Sequence, residues 1–247
     1  GNLSYLTATS VAANLFSMLF WSFGFLRMGT VGMVSQAFGQ NSYLEILNIV
    51  LRNLFFVLIV SALIFVSQTF ILNLSLKIFN LSELTKEFYI QYFNIRIYSA
   101  PGELTLYIIT GLFVGLQKTK ISSLVVGFFS ILNIFLSVVL VTKFDLNIKG
   151  VAYGTLFSAL ITSLIFLIYT FNYLNKFTII KIDVLNLFNL KKMKDIFNIN
   201  FDIFIRTILL TFSFLWFTYL GTQIGEDYVA VNACLLYTSD AADDLRC

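Results

Sequence analysis

Glu103 lies inside the apolar run "SAPGELTLYIITGLFVG", where a carboxylate has no business unless something uses or neutralises it. A charged side chain at the centre of a bilayer costs several kcal/mol unless it faces a cavity or a partner. Two cations also sit in apolar runs: Arg27 in "WSFGFLRMGT" and Arg96 in "YFNIRIYSAP". Either arginine could neutralise Glu103, and a long arginine side chain can also reach the membrane surface. Glu103 is therefore open to two readings, a structural ion pair or a site on an ion pathway. Asp202 and Arg206, in "NFDIFIRTILL", are four residues apart and share a helical face, so they can pair. Asn133, in "ILNIFLSVVLV", is an uncharged hydrogen-bonder that can join helices or coordinate a cation. Glu103, Asn133, Asp202 and Arg206 are the candidate substrate or ion pathway residues. Pro101 bends a helix and frees a backbone carbonyl. Gly102, Gly111 and Gly115 permit close helix approach, and packing explains the Gly111-x-x-x-Gly115 spacing better than chemistry does.

The composition narrows the field further. The sequence is 58% hydrophobic and 12% charged, with 28 Phe and one Pro. A soluble domain carries about 25% charged residues, so this surface is suited to lipid. The 247 residues contain no histidine, which removes His-based acid–base chemistry and His-ligated metal or haem. The two cysteines, Cys234 and Cys247, lie in an unusual tail, leaving the body without a thiol nucleophile, a Cys-ligated metal or a disulfide. No P-loop, G-x-S-x-G or catalytic carboxylate pair is present, so no metal, no cofactor and no enzymatic activity are expected. The net charge of +3 suits basic loops on an anionic membrane leaflet rather than nucleic acid.

The elements that position these residues must be long helices. A bilayer core of about 30 Å takes about 20 helical residues, and the backbone must satisfy its own hydrogen bonds. Six spans are expected at 6–38, 53–76, 86–116 (broken near Pro101), 120–142, 149–174 and 198–221, with a seventh starting near Asp227. Between alternate spans, one set of loops holds Arg52, Lys118, Lys120, Lys176, Lys181, Lys191, Lys192 and Lys194; the other holds Lys77, Lys86, Lys143 and Lys149. The richer set should be cytoplasmic, which puts Gly1 outside and leads us to expect a preceding helix. The stretch 175–197 carries Leu187, Leu190, Met193 and Phe197 at near-helical spacing beside clustered lysines, as an amphipathic interfacial helix would, or a plain cytoplasmic loop.

Several blocks, in order, resemble the MATE (multidrug and toxic compound extrusion) family in its DinF-like branch. "FGFLRMGTVGMVSQAFGQ" looks like that family's second helix, with Arg27 in it. "YFNIRIYSAPGELTLYIITGLFVGLQKTK" looks like its fourth, with Arg96, Pro101, Gly111, Gly115 and Gln117 in the motif positions. "IKGVAYGTLFSAL" resembles the entry to the sixth, with Gly150, Ala152 and Thr155 in place. "FDIFIRTILLTFSFLWFTYLGTQIGEDYVAVNA" is similar to the seventh and the start of the eighth. The resemblance implies an all-α polytopic membrane protein with two lobes. Residues 1–174 would be helices two to six of the N-lobe, 175–197 the inter-lobe connection, and 198–233 the start of the C-lobe. It implies H⁺- or Na⁺-coupled export of small organic cationic or amphipathic substrates by alternating access. The protein would be a multi-pass monomer of the cytoplasmic (inner) membrane, with lipids as partners and no nucleic acid. Many family members carry Asp four residues after the helix-five Asn; here that position is Ser137, which leaves the usual N-lobe cation site incomplete. A lipid-linked oligosaccharide flippase of the same superfamily is the alternative, although sparse mid-span arginine favours the exporter. An intramembrane transferase would need a His, Cys or acidic cluster, and none is seen.

The tail "CLLYTSDAADDLRC", 234–247, breaks from this pattern. It resembles the translation of a sequencing-library adaptor and is expected to be an artefact. Without its one Arg and three Asp the net charge rises from +3 to +5.

Overall fold

A computed structural model describes residues 2–79, 81–177, 194, 197–210, 213 and 216, with side chains from Tyr5 onward. These residues form helices and turns, with no strand among them. Most of the connection 175–197, the later part of the span 198–221, the start of an eighth helix and the tail 234–247 lie outside the described residues.

The chain divides into two compact units, the first running to Asn200 and the second from Phe201. The first unit contains α1 (Asn2–Trp21), α2 (Phe25–Gly39), α3 (Tyr43–Val66), α4 (Gln68–Ile78), α5 (Glu83–Arg96), a 3₁₀ turn (Ile97–Ser99), α6 (Ala100–Gly115), α7 (Thr119–Thr142) and α8 (Asn147–Asn175). Among the described residues, five stretches are long and apolar enough to cross a membrane: Tyr5–Gly39, Tyr43–Val66, Glu83–Gly115, Thr119–Thr142 and Asn147–Asn175. They match the first five expected spans in order. In the second unit residues 201–210 are helical.

Three details depart from the sequence reading. The first span is broken: α1 and α2 meet at a turn, Ser22–Gly24, with no proline present. The second begins about ten residues earlier than expected, at Tyr43. Arg52 is consequently no loop residue but a buried one within α3, 3% exposed. Its guanidinium donates to Glu45 Oε1 at 3.0 Å, two helical turns back, and that pairing lets it lie inside the bundle. The loop tally therefore loses Arg52, which leaves seven basic residues against four in the sequence. Third, the break in the third span is the 3₁₀ turn itself, and Pro101 sits in the first turn of α6. A proline there has no helical N–H to forfeit.

Helix α6 is the axis of this unit, packing against α2, α3, α7 and α8. Lipid supplies no hydrophobic drive between helices, so close van der Waals contact must hold them together. Gly111 and Gly115 provide it: a Cβ at Gly111 would fall 2.7 Å from the Arg27 carbonyl oxygen, and one at Gly115 would fall 2.9 Å from the Val34 side chain. Gly154 does the same between α8 and α7, where an added Cβ would meet Ser137 Cα at 2.8 Å. Phe16, Tyr89, Phe93, Leu104, Ile108 and Phe113 fill the core. Hydroxyls in the spans donate back to their own helices, as Thr30 does to the Leu26 carbonyl at 2.7 Å and Thr110 to the Leu106 carbonyl at 2.7 Å. A hydroxyl paired in this way does not have to seek a partner in lipid.

Candidate functional site

The third span carries the chemistry. Helix α5 ends at Arg96, the chain turns through Ile97–Ser99, and α6 begins at Ala100 with Glu103 in its first turn. The backbone stays right-handed helical through this turn, so Arg96 and Glu103, seven residues apart, fall on the same face about two turns from one another. Arg96 forms an ion pair with Glu103, and the side chains are 10% and 15% exposed. Of the two arginines that could have served, Arg96 is the partner; Arg27 is exposed on α2.

Ser99 ties the pair together. Arg96 Nη1 donates to the Ser99 hydroxyl oxygen, which is 3.1 Å from Glu103 Oε1 and 2.7 Å from the Arg96 carbonyl oxygen. On the α1 side the guanidinium lies 5.3 Å from the ring centroids of both Phe16 and Phe20. The Tyr92 hydroxyl lies beside the same charges and beside Thr155 of α8. A part-buried carboxylate and a buried guanidinium thus share one serine and a neighbouring phenol, and the guanidinium also has an aromatic shelf. Such a site can hold or release a cation at Glu103 by opening or closing the pair, and no bond-making chemistry is required. Ser99, Phe16 and Phe20 went unnoticed in the sequence. Ser99 had a signal, lying three residues from Arg96 and four from Glu103.

The other candidates do not gather here. Asn133 is half-buried on α7 and accepts from Ser137 Oγ at 3.3 Å. Asp202 and Arg206 belong to the second unit, where both are exposed and border an open depression with Phe201, Ile205, Leu209 and Ser213. Among the described residues the ion pairs are Arg52–Glu45, Lys86–Glu83 and Arg96–Glu103; Asp202–Arg206 is not one of them. Gly150 packs on Val141 and Leu140 of α7. Gln117 occupies the left-handed region, φ 60°, at the end of α6. Its N–H donates to Val114 O at 2.9 Å and the N–H of Lys118 to Phe113 O at 2.7 Å, a Schellman closure. The described residues contain no cluster of three or more His, Cys, Asp or Glu side chains able to hold a metal.

The MatE family pattern matches residues 3–139, more than half of the chain, including the α5–α6 stretch that carries Arg96 and Glu103. The chain belongs to the MatE family. DNA damage-inducible protein F of Escherichia coli (strain K12) is 34% identical over 234 residues, covering 94% of this chain and 50% of that protein. Multidrug export protein MepA of Staphylococcus saprophyticus is 24% identical over 211 residues, covering 85% and 46%. This MatE chain spans about half the length of the curated relatives it matches. Among solved structures, a MOP superfamily transporter from Pyrococcus furiosus shares the fold with a TM-score of 0.72 at 19% identity, covering 96% of this chain and 55% of that one. A MATE structure in the bent conformation matches with a TM-score of 0.74 at 21% identity, covering 91% and 51%. The all-α membrane fold and the DinF-like resemblance read from the sequence are thereby borne out.

Proposed function

We propose that the intact protein is a secondary active exporter of small organic cationic or amphipathic compounds, working by alternating access in the cytoplasmic membrane as a multi-pass monomer. Membership of the MatE family across the helices that build the charge pair carries this reading. The likeness to DNA damage-inducible protein F and to a multidrug export protein supports it. The coupling ion is H⁺ or Na⁺, and Glu103 is the group in the described lobe that responds to it. With Glu103 ionised, Arg96 compensates the charge and the two half-helices are clamped. A proton or cation taken up at the carboxylate weakens that clamp and leaves Arg96 held by its aromatic shelf and Tyr92. The cycle is transport and makes no covalent product.

The test is made with the full-length protein in proteoliposomes. Dye efflux is followed under an imposed pH or Na⁺ gradient, and scrambling of lipid-linked oligosaccharide is assayed in parallel. Gradient-driven efflux that is abolished in Glu103→Gln and partly kept in Glu103→Asp is the expected result. Efflux with unchanged pH and ion dependence in Glu103→Gln would remove the role of Glu103. Scrambling without efflux would replace the exporter by a flippase.

A further inference from the structure

One end of the helix bundle collects aromatic rings and lysines in a way the transport reading does not use. The Schellman closure of α6 fixes the backbone of Lys118, and in such a motif the residue there normally lays an apolar side chain on the last helical turn. Here it is a lysine. Its ammonium lies 4.6 Å from the centroid of the Tyr173 ring on α8. Tyr173 packs against Phe113 at 6.0 Å and Phe177 at 5.3 Å, and Phe177 stacks on Tyr43 of α3 at 4.6 Å with an interplanar angle of 10°. Four elements thus build a shelf under one cation, which itself stays exposed.

The charge around the shelf has one sign. Lys120 opens α7 and Lys176 caps α8, both exposed at this same end. The acid in the first turn of α3, Glu45, is already engaged by Arg52. At the opposite end Lys77, Lys86, Lys143 and Lys149 are diluted by Glu83, Glu87 and Asp145, and Lys86 pairs with Glu83 at 3.8 Å. A hydrogen bond with Tyr173 raises the Lys118 pKa above the ordinary lysine value, so the ammonium is charged at every physiological pH.

We propose that Lys118, backed by Tyr173, Tyr43 and Phe177 and flanked by Lys120 and Lys176, binds the phosphate of an anionic phospholipid. The headgroup phosphate takes the ammonium face turned away from the ring, and the glycerol and upper acyl carbons lie on the aromatic shelf. Tyrosine and lysine at the end of a span suit the headgroup level of a bilayer. A free phosphate would gain only the charge, whereas a lipid gains the charge and the rings together.

The test uses full-length protein and native mass spectrometry, counting lipid retained after exposure to phosphatidylglycerol, to phosphatidylcholine, or to phosphatidylglycerol with millimolar inorganic phosphate. Phosphatidylglycerol should be retained over phosphatidylcholine, and inorganic phosphate should not displace it. Lys118→Gln should weaken retention about fivefold, the effect of one basic residue at an anionic surface. Lys118→Arg should preserve retention, and Lys77→Gln at the other end should leave it unchanged. Tyr173→Leu, which keeps the charge and removes the ring, should weaken it as well. Equal retention by wild type and Lys118→Gln, equal binding of phosphatidylcholine, or displacement by inorganic phosphate would each overturn the proposal.

Discussion

Replacing Glu103 by glutamine should destabilise the protein far more than a surface substitution would. The amide keeps nearly the same shape and can still meet Ser99, but it leaves Arg96 uncompensated at a side-chain exposure of 10%. Removing one partner of a buried ion pair costs about 3–5 kcal/mol, because the remaining charge is left desolvated. The rings of Phe16 and Phe20, each 5.3 Å from the guanidinium, recover part of this; a cation over desolvated rings is worth about 2 kcal/mol. Those contacts also exist in the wild type, so only their strengthening counts, and about 3 kcal/mol of loss is expected. The companion variant is Arg96→Met with Glu103→Leu, which removes both charges and keeps the volume. Replacing a whole buried pair is often neutral, so the double variant should be more stable than either single one. The assay is reversible unfolding of the full-length protein in mixed micelles by increasing SDS, followed by tryptophan fluorescence, arranged as a double-mutant cycle. A Glu103→Gln loss below about 1 kcal/mol, with a double variant no better than the singles, would show that water or another group already compensates Arg96, and the argument from burial would fail.

Other outcomes follow from the same geometry. Gly154→Val should separate α7 from α8, because its Cβ would fall 2.8 Å from Ser137 Cα; a loss of about 1–3 kcal/mol in the same unfolding assay is expected. Gln117→Gly should stabilise by up to about 1 kcal/mol, since it relieves a non-glycine residue at φ 60°. Thr30→Val removes the acceptor of the 3.2 Å bond from Asn53 Nδ2, whose Oδ1 is already unpartnered; a buried amide with no partner should cost about 1–3 kcal/mol. Lys118 contributes its charge fully below the ordinary lysine value of 10.5 and loses it only as pH rises through its raised folded value. Phosphatidylglycerol retention should therefore be flat from about pH 5 to 9 and fall with added salt.

The spans were legible because lipid leaves the backbone so few options: a run of about 20 apolar residues must be helix. What escaped was the internal punctuation. Ser22–Gly24 and Ser67 interrupt helices without a proline, and nothing in their residue types distinguishes them from the small residues that pack within spans. Arg52 misled because a charge near a span boundary reads as a loop; only Glu45, seven residues earlier, hinted that both face one way. Glu103 was visible as an anomaly, but its partner was not, since Arg27 and Arg96 differ in spatial position rather than in local sequence. Asp202 and Arg206 have the spacing of an i,i+4 pair, yet they are not among the ion pairs of the described residues, because spacing permits such a pair without imposing it.

The contrast between α6 and α7 has a consequence for how these helices drift over generations. In the span containing α6, 72% of the apolar window is buried, against 6% in α7. A position that touches neighbours on every side is answerable to each of them, so a change there needs a matching change elsewhere. Positions on the exposed face of α7, such as Leu124, Ile131 and Phe135, are held by few of the described neighbours, and a residue of similar oiliness will serve there. That exposed face of α7, away from its seam with α8, should therefore accumulate exchanges among Leu, Ile, Val and Phe freely and singly. Helix α6 should change slowly and in compensating pairs, keeping its spelling long after α7 has kept only its hydrophobicity.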